Sequence, residues 1–304
     1  LIDEGNTIPF IARYRKEATG ALNDEVLRNL HDRLNYLRNL EEKKEQVINS
    51  IEEQGKLTED LKAQILAAET MVVVDDLYRP YRPKRRTRAT IAKEKGLEPL
   101  ANIISLQMTD QPLEVTAEEY INAEEEAIEG AKDIIAEFIS DEADYRMYIR
   151  TLTMKKGRIT STAKDKEAES VYEMYYEFDD ALAKLAGHRV LALNRGEAEK
   201  ILTVKIEAPE EDILRYLEKK VISRDNPYTT LVLKDVIADS YKRLIAPAIE
   251  REIRNDLTEK AEDGAIKVFG KNLEQLLMQP PIVNQTVLGW DPAFRTGCKL
   301  AVVD

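Results

Sequence analysis

The stretch that decides the fold runs from Asn23 to Gly55, Asn-Asp-Glu-Val-Leu-Arg-Asn-Leu-His-Asp-Arg-Leu-Asn-Tyr-Leu-Arg-Asn-Leu-Glu-Glu-Lys-Lys-Glu-Gln-Val-Ile-Asn-Ser-Ile-Glu-Glu-Gln-Gly. Asn23 is a favourable helix N-cap, and Gly55 is a stop signal. Between them, apolar residues recur at spacings of three and four, at Leu27, Leu30, Leu34, Leu37, Ile48 and Ile51. Glu41 and Lys44 interrupt this stripe. The pattern predicts an amphipathic helix of about eight turns, packed against neighbouring helices rather than in a coiled coil.

The rest of the chain is also predominantly helical by the same criteria. Caps, periodicity and glycine stops predict further helices at 58–70, 89–95, 97–106, from a capping box at 116–119 onward, and at 171–185, 210–221 and 234–269, with a soft point at Gly264. Gly96 joins two short helices in a pattern that resembles a helix-turn-helix unit. A turn or short strand is predicted at 155–160. Strands at 188–194 and 201–206, joined by Arg195-Gly196-Glu197, predict a small β insert. Two strand-like runs follow a boundary at Pro280-Pro281.

Composition limits the class of protein. Hydrophobic residues make up 43% of the 304 residues, and Gly (12) and Pro (11) are sparse, which indicates a folded, helix-rich protein of two or three domains. The single cysteine, Cys298, forbids an internal disulfide and fits a reducing compartment. No apolar run approaches the ~20 residues of a membrane span, and no signal peptide is present, so we expect a cytoplasmic protein. The net charge of −12 means that nucleic-acid binding requires a local basic patch.

Such a patch occurs after residue 77. Seven cations fall within fifteen residues that contain no acid, at Arg79, Arg82, Lys84, Arg85, Arg86, Arg88 and Lys93. We call residues 78–93 the basic segment. Tyr78 and Tyr81 interleave with the cations. Clustered arginines suit phosphate contacts, and tyrosine rings suit base stacking. Alternatively, the cations pair with the chain's own carboxylates and hold helices together, or they meet a partner protein.

Other candidate residues carry weaker signals. An acidic region at 114–144 has an apolar helix face at Ala127, Ile128, Ala131, Ile134, Ile135 and Phe138. Its acids form a solvated face or bind a basic partner. His31 and His188 have no His or Cys at a spacing that suits a metal, and Cys298 is expected to be a small buried hydrophobe. The sequence therefore predicts no catalytic residue, no metal site and no cofactor.

Five segments together resemble the Tex family of transcription accessory proteins, and they cover the chain in order: Ile8–Gly20, Leu77–Leu100, His188–Glu197, Ser240–Arg254 and Gly289–Asp304. The resemblance implies a helical N-terminal region with a helix-turn-helix-like insert, then an RNase H-like (YqgF) domain, helix-hairpin-helix elements and a C-terminal OB-fold that is the main nucleic-acid contact. We therefore expect the chain to be an excerpt of a longer protein that stops as the RNase H-like domain begins.

The segment around Asp291 also resembles the first strand of resolvase-like RNase H folds, in which an aspartate helps to hold Mg²⁺. Two-metal catalysis needs several converging carboxylates, and Ala293 replaces the glycine that is usual two places after the aspartate. The resemblance therefore does not imply nuclease activity in this chain.

The resulting prediction is a mainly α multi-helix scaffold with a helix-turn-helix-like insert, a small β insert and the first hairpin of a truncated RNase H-like α/β domain. The predicted domains are 1–55 and 131–281 (helical scaffold), 56–130 (insert with the basic segment) and 282–304 (truncated domain). The predicted function is a non-enzymatic transcription accessory scaffold that binds RNA or DNA weakly and contacts the transcription machinery, away from membranes. The alternatives are a metal-dependent RNase H-like nuclease or resolvase in the full-length protein, and a purely protein-binding adaptor.

Overall fold

A computed structural model describes residues 1–118, 124–280, 283–292 and 297–304. The chain divides into two compact units. The first unit contains Leu1–Thr160, Asp179–Ala183 and Lys205–Ile253, and the second contains Ser161–Phe178, Lys184–Val204 and Arg254–Asp304. Within the described ranges, no helix combines the length and the apolar character that spanning a bilayer requires.

The described residues form mainly α-helices, as the sequence predicted. In chain order these are α1 (Ile8–Tyr14), α2 (Lys16–Thr19), α3 (Asp24–Glu53), α4 (Glu59–Ala67), α5 (Met71–Tyr78), α6 (Arg88–Glu94), α7 (Glu98–Leu106), α8 (Leu113–Ala117), α9 (Glu124–Asp141), α10 (Ala143–Lys156), α11 (Gly187–Ala198), α12 (Glu210–Val221), α13 (Thr230–Asp239) and α14 (Ala246–Leu277). The strands are β1 (Arg158–Ala163), β2 (Glu177–Ala181), β3 (Leu202–Glu207), β4 (Val287–Asp291) and β5 (Lys299–Val303). The first three form a sheet in the order β2-β1-β3, and β4 pairs with β5.

The long helix α3 confirms the central prediction. The Asn23 side chain accepts a hydrogen bond from the Val26 backbone N–H at 2.8 Å, which satisfies one of the free donors at the helix start. Buried residues of α3 pack in one cluster with residues of α4 and α5, namely Leu40, Val47, Ile51, Ile65, Ala68 and Val74. Of the predicted stripe, Ile51 lies in this cluster and Ile48 packs against it, whereas Leu30 and Leu37 are exposed. Packing against neighbouring helices therefore covers the C-terminal half of α3.

Lys44 does not interrupt the buried face of α3, contrary to the sequence prediction. Its side chain is buried, and its ammonium donates to the Leu66 carbonyl at 2.9 Å and to the Glu41 carboxylate at 2.8 Å. The aliphatic stem of a lysine can pack among apolar groups while its charge finds polar partners. Lys44 thus satisfies a carbonyl in the last turn of α4.

Threonine caps set several helix boundaries in the first unit. Thr58 caps α4, Thr70 caps α5 and Thr87 caps α6, so the helix predicted at 58–70 is one helix followed by the cap of the next. The capping box predicted at 116–119 is wrong, because Thr116 lies inside α8 and its hydroxyl donates to the Pro112 carbonyl. Glu119 lies outside the described residues.

One of the two strands predicted for the β insert is right, and the sheet that forms has three strands. Residues 188–194 belong to α11, whereas 201–206 correspond to β3. Gly196 is a helical glycine rather than a turn residue, and an added Cβ there would stand 2.6 Å from Leu202 Cδ1. The helix predicted at 171–185 is also wrong. That segment forms a 3₁₀ turn and β2, in keeping with the strand preference of its aromatic residues.

The helix predicted at 234–269 is confirmed, with an irregularity that the sequence did not indicate. Residues Ser240–Ile245 form a π turn between α13 and α14. Pro247 follows this turn and lacks the N–H that a regular helix would use. The Ser240 hydroxyl is buried and donates to the Ala136 carbonyl of α9 at 2.7 Å. Gly264 lies within α14 and does not interrupt it.

The two strand-like runs at the end of the sequence form an antiparallel hairpin, as predicted. Its register pairs Val287 with Val303 and Asp291 with Lys299. The large apolar side chains of both strands are exposed, including Trp290 and Val302. Pro281 and Ala293, which entered the sequence interpretation, lie outside the described residues, and the assignment of the hairpin to an RNase H-like domain stays a prediction.

A buried amide links the loop after α7 to the loop after α12. Gln107 has a positive φ of 55° and is almost fully buried. Its Nε2 donates to the Val221 carbonyl at 2.9 Å, and its Oε1 accepts from the backbone N–H groups of Ser223 and Arg224, each at 3.1 Å. One side chain thereby satisfies three backbone groups of a distant loop, in hydrogen bonds that are partly buried.

We expect Gln107→Ala to lower the free energy of unfolding by roughly 1–3 kcal/mol, because it leaves three partly buried backbone groups without their side-chain partner. Urea denaturation followed by circular dichroism measures the change. Gln46→Ala is the matched control, since Gln46 is exposed and its amide contacts only Glu42 of the same helix at 3.2 Å. Equal stability of the two variants would contradict this role for Gln107.

Candidate nucleic-acid interface

The basic segment leaves α5, crosses a short loop and enters α6. Pro80 and Pro83 prevent the helix from continuing. The Thr87 side chain then accepts from the Thr90 N–H at 3.1 Å and starts α6. This local sequence therefore places Arg82 to Arg86 on a loop and Arg88 on the first turn of a helix.

Four of the seven predicted site residues have carboxylate partners. Arg79 Nε lies 3.3 Å from Asp141 Oδ1. Lys84 donates to Asp141 Oδ2 and lies 3.4 Å from Glu137 Oε2. The remaining two paired cations are exposed: Arg86 lies 2.9 Å from Glu94, and Lys93 lies 3.9 Å from Glu98.

Asp141 is buried, whereas its two cationic partners are partly exposed, with 35% of the Arg79 side chain and 28% of the Lys84 side chain accessible to solvent. Burial raises the pKa of Asp141, and the hydrogen bond from Lys84 opposes that shift. Burial, followed by the nearby charge of Arg146, lowers the pKa of Arg79. Because desolvated charges of this kind depend on their partners, Arg79 and Lys84 attach the basic segment to α9. Here the alternative of internal pairing is the one that the geometry supports.

Arg82, Arg85 and Arg88 differ from the other four. All three are exposed, and within the described part of the chain no carboxylate lies within 4 Å of their guanidinium nitrogens. Arg82 and Arg85 line an open cleft of about 500 Å³ in the first unit. Arg88 is close enough to Asp133 for its charge to oppose the burial-induced rise in the pKa of that carboxyl. We call these residues the open arginines.

A buried ion-pair network supports the cleft from beneath. Arg146 is fully buried, and it donates to Asp76 Oδ1 at 2.8 Å and to Glu252 Oε1 at 2.6 Å. Arg150 lies 2.9 Å from Asp76 Oδ2 and 2.7 Å from Glu252 Oε2. The network joins α5, α10 and α14 within the first unit. Sequence patterns do not indicate this network, because the residues that pair in it are 70 to 106 positions apart.

The interleaved tyrosines do not present free rings. The Tyr78 hydroxyl is 2.9 Å from Ser50 Oγ, and both Tyr78 and Tyr81 are partly buried against the cluster of α3, α4 and α5. The exposed aromatic ring near the basic segment is Phe138 of α9, which is 65% exposed. Sequence periodicity had assigned Phe138 to the apolar face of that helix together with Ile134 and Ile135, both of which are buried.

The other singled-out residues form no chemical site within the described ranges. No group of three or more His, Cys, Asp or Glu residues suited to a metal occurs there. Asp291 is exposed at the end of β4 and pairs in register with Lys299. Cys298 is exposed rather than buried as predicted, because it precedes β5 in a hairpin whose large side chains face solvent.

The fold and the basic segment define a mainly helical scaffold with a small cationic surface, and comparisons with known proteins identify its family. Residues 1–52 match the Tex-like protein N-terminal domain, and residues 108–269 match the Tex central region-like family. The chain therefore belongs to the Tex family, as the resemblance predicted. The two matched ranges leave 53–107 between them, so the role of the basic segment has to be argued from its geometry.

Named relatives agree with this assignment. The chain is 53% identical to the Bacillus subtilis protein YdcI over its full length, which covers 44% of that protein. It is 39% identical to the transcriptional accessory protein Tex of Neisseria gonorrhoeae, of which it covers 42%. It is 30% identical to the human S1 RNA-binding domain-containing protein 1, of which it covers 32%. The chain thus spans less than half the length of these relatives.

Proposed function

We propose that this chain is a non-enzymatic scaffold of the transcription apparatus that contacts a strand of RNA or DNA through the open arginines. The observation that carries the proposal is the contrast within the basic segment. Arg79 and Lys84 are held by carboxylates of α9, whereas Arg82, Arg85 and Arg88 are exposed and have no carboxylate within 4 Å among the described residues. The names of the relatives, a transcriptional accessory protein and an S1 RNA-binding domain-containing protein, support the same role. Such a role places the protein in the cytoplasm with the transcription machinery.

The chemistry of the open arginines fits phosphate. A guanidinium presents several N–H donors in a planar fork that matches two phosphate oxygens. Such contacts position a strand without reading its bases, so binding should tolerate changes of sequence. The net charge of −12 opposes the approach of a polyanion, which makes the contact weak and dependent on this local patch.

The test is a fluorescence-anisotropy titration of a labelled single strand with the parent and with the variant Arg82→Ala, Arg85→Ala, Arg88→Ala. We expect the variant to lose most of the affinity at low salt. The matched control is Arg215→Ala, Lys219→Ala, Lys220→Ala, which removes the same charge from the exposed side of α12. Equal weakening of both variants would show a general charge effect. Unchanged binding by the open-arginine variant would assign the basic segment to protein contacts.

The absence of catalysis is also a proposal. Asp291 pairs in register with a lysine, and the described residues bring no carboxylate cluster to it, whereas two-metal chemistry needs several carboxylates. We expect no cleavage of single-stranded or branched nucleic acid in the presence of Mn²⁺. Mn²⁺-dependent cleavage that disappears in Asp291→Asn would overturn this expectation.

A further inference from the structure

A groove of about 690 Å³ lies beside the basic segment in the first unit, lined by residues of α6, α7, α9 and the basic segment. Its wall carries the exposed ring of Phe138 and the polar side chains of Asn102 and Ser105. It also carries four cations and four carboxylates: Lys56, Arg82, Lys84, Lys93, Glu98, Glu137, Asp141 and Glu142. A concave surface that combines an apolar ring with a few polar groups is the usual form of a small-molecule site.

Phe138 is the unusual member of this wall. Its helix neighbours Ile135 and Ile139 are buried, whereas Phe138 is 65% exposed. Scattered exposed apolar residues are common on protein surfaces and need no explanation. Phe138, however, lines the same groove as the amide of Asn102, which carries both hydrogen-bond donors and an acceptor.

The charges of the groove favour an uncharged occupant with a phosphate at its edge. Lys84 is held by Asp141 and Glu137, and Lys93 faces Glu98. Arg82 has no carboxylate within 4 Å among the described residues, and it lines both this groove and the adjoining cleft that contains Arg85. Glu98, Glu137, Asp141 and Glu142 line the same groove, so its interior disfavours a phosphate, whereas the open guanidinium of Arg82 at its edge can bind one.

We propose that the groove holds one unpaired nucleobase of the strand whose phosphates contact the open arginines. The ring of Phe138 would stack on the base, and the amide of Asn102 would form hydrogen bonds with the edge of the base. Arg82 would bind the adjoining phosphate. A base inside a duplex has both its faces and its pairing edge occupied, so the groove selects single-stranded RNA or DNA. This inference rests on the proposed function and adds to it the class of strand that is bound.

The test replaces the aromatic ring of Phe138 by an aliphatic side chain of comparable size. Binding of a fluorescein-labelled oligo(U) of about 12 nucleotides should weaken on the order of tenfold in Phe138→Leu, because stacking on an aromatic face is lost. Phe138→Tyr should retain the affinity of the parent. Leu231→Ala is the control, since Leu231 is an exposed leucine of α13 in the same unit. Oligo(dT) of the same length distinguishes RNA from DNA as the preferred strand.

The salt dependence separates this inference from the proposed function. Phe138→Leu should keep the parent's salt dependence, since no phosphate contact is lost. It should also lower the ratio of the affinity for a single strand to the affinity for a duplex of equal length. If Phe138→Leu binds like the parent, or if Phe138→Tyr loses as much affinity as Phe138→Leu, the groove does not hold a base, although the open arginines can still bind phosphate. If neither Phe138→Leu nor the open-arginine variant differs from the parent, or if the parent does not bind, both proposals fail.

Discussion

We expect Asp76→Asn to lower the free energy of unfolding by about 3–5 kcal/mol, which is the range observed when one partner of a buried ion pair is removed. Asp76 is buried and accepts from Arg146 and Arg150. The substitution conserves size and removes the charge, so its cost reports the electrostatic role rather than a cavity. Arg146, which is fully buried, would keep only Glu252 as a charged partner.

Urea denaturation followed by far-ultraviolet circular dichroism measures this loss. The matched control is Asp179→Asn, which makes the same chemical change in an exposed pair with Arg158. Exposed pairs contribute little to stability, so the control should unfold at a urea concentration close to that of the parent. A similar small effect in both variants would show that the network under the cleft does not brace the first unit.

A second substitution in the same network removes the buried charge itself rather than its partner. In Arg146→Met the buried charge itself is removed, and Arg150 still contacts both Asp76 and Glu252. In Arg146→Met the buried Asp76 keeps Arg150 as its partner and Glu252 is one-third exposed, whereas Asp76→Asn leaves the fully buried Arg146 to share Glu252 with Arg150. Arg146→Met should therefore be more stable than Asp76→Asn, and the reverse order would contradict the account of the network.

Local sequence determined a large share of the helical structure. Helix α3 could be predicted because its cap at Asn23 and its stripe are both encoded within a few residues. Residues 188–194 were mistaken for a strand because four consecutive apolar residues there, 190–193, carry no period that distinguishes a strand from a helix.

The candidate site could be predicted only in part, because tertiary contacts determine which of its cations have carboxylate partners and which do not. All seven cations were identified from composition. Arg86 and Lys93 pair with acids close in sequence, whereas Arg79 and Lys84 pair with acids of α9. Asp141 is separated from Lys84 by 57 residues in the sequence. The exposure of Phe138 could not be predicted from the sequence either. Helical periodicity places it with buried neighbours, whereas in the structure its side chain lines an open groove.

The second prediction with a large expected effect concerns how the affinity for a single strand depends on salt concentration. Binding through phosphates releases counterions, so affinity falls as salt rises, by about 0.7 in the log–log slope for each phosphate neutralised on a single strand. Three open arginines therefore give a slope of about −2 for the parent, whereas engagement of all seven cations of the basic segment would give about −5. The slope thus reports how many cations contact the strand, and it does so independently of the absolute affinity.

The most direct test of the nucleic-acid interface is this slope, measured by fluorescence anisotropy in the parent and in the variant Arg82→Ala, Arg85→Ala, Arg88→Ala. Circular dichroism first establishes that both are folded, which we expect because the paired Arg79 and Lys84 remain in place. We predict a slope of about −2 for the parent and a slope near zero, with little residual binding, for the variant. Equal slopes in the two proteins would contradict the assignment of the open arginines as the phosphate contacts.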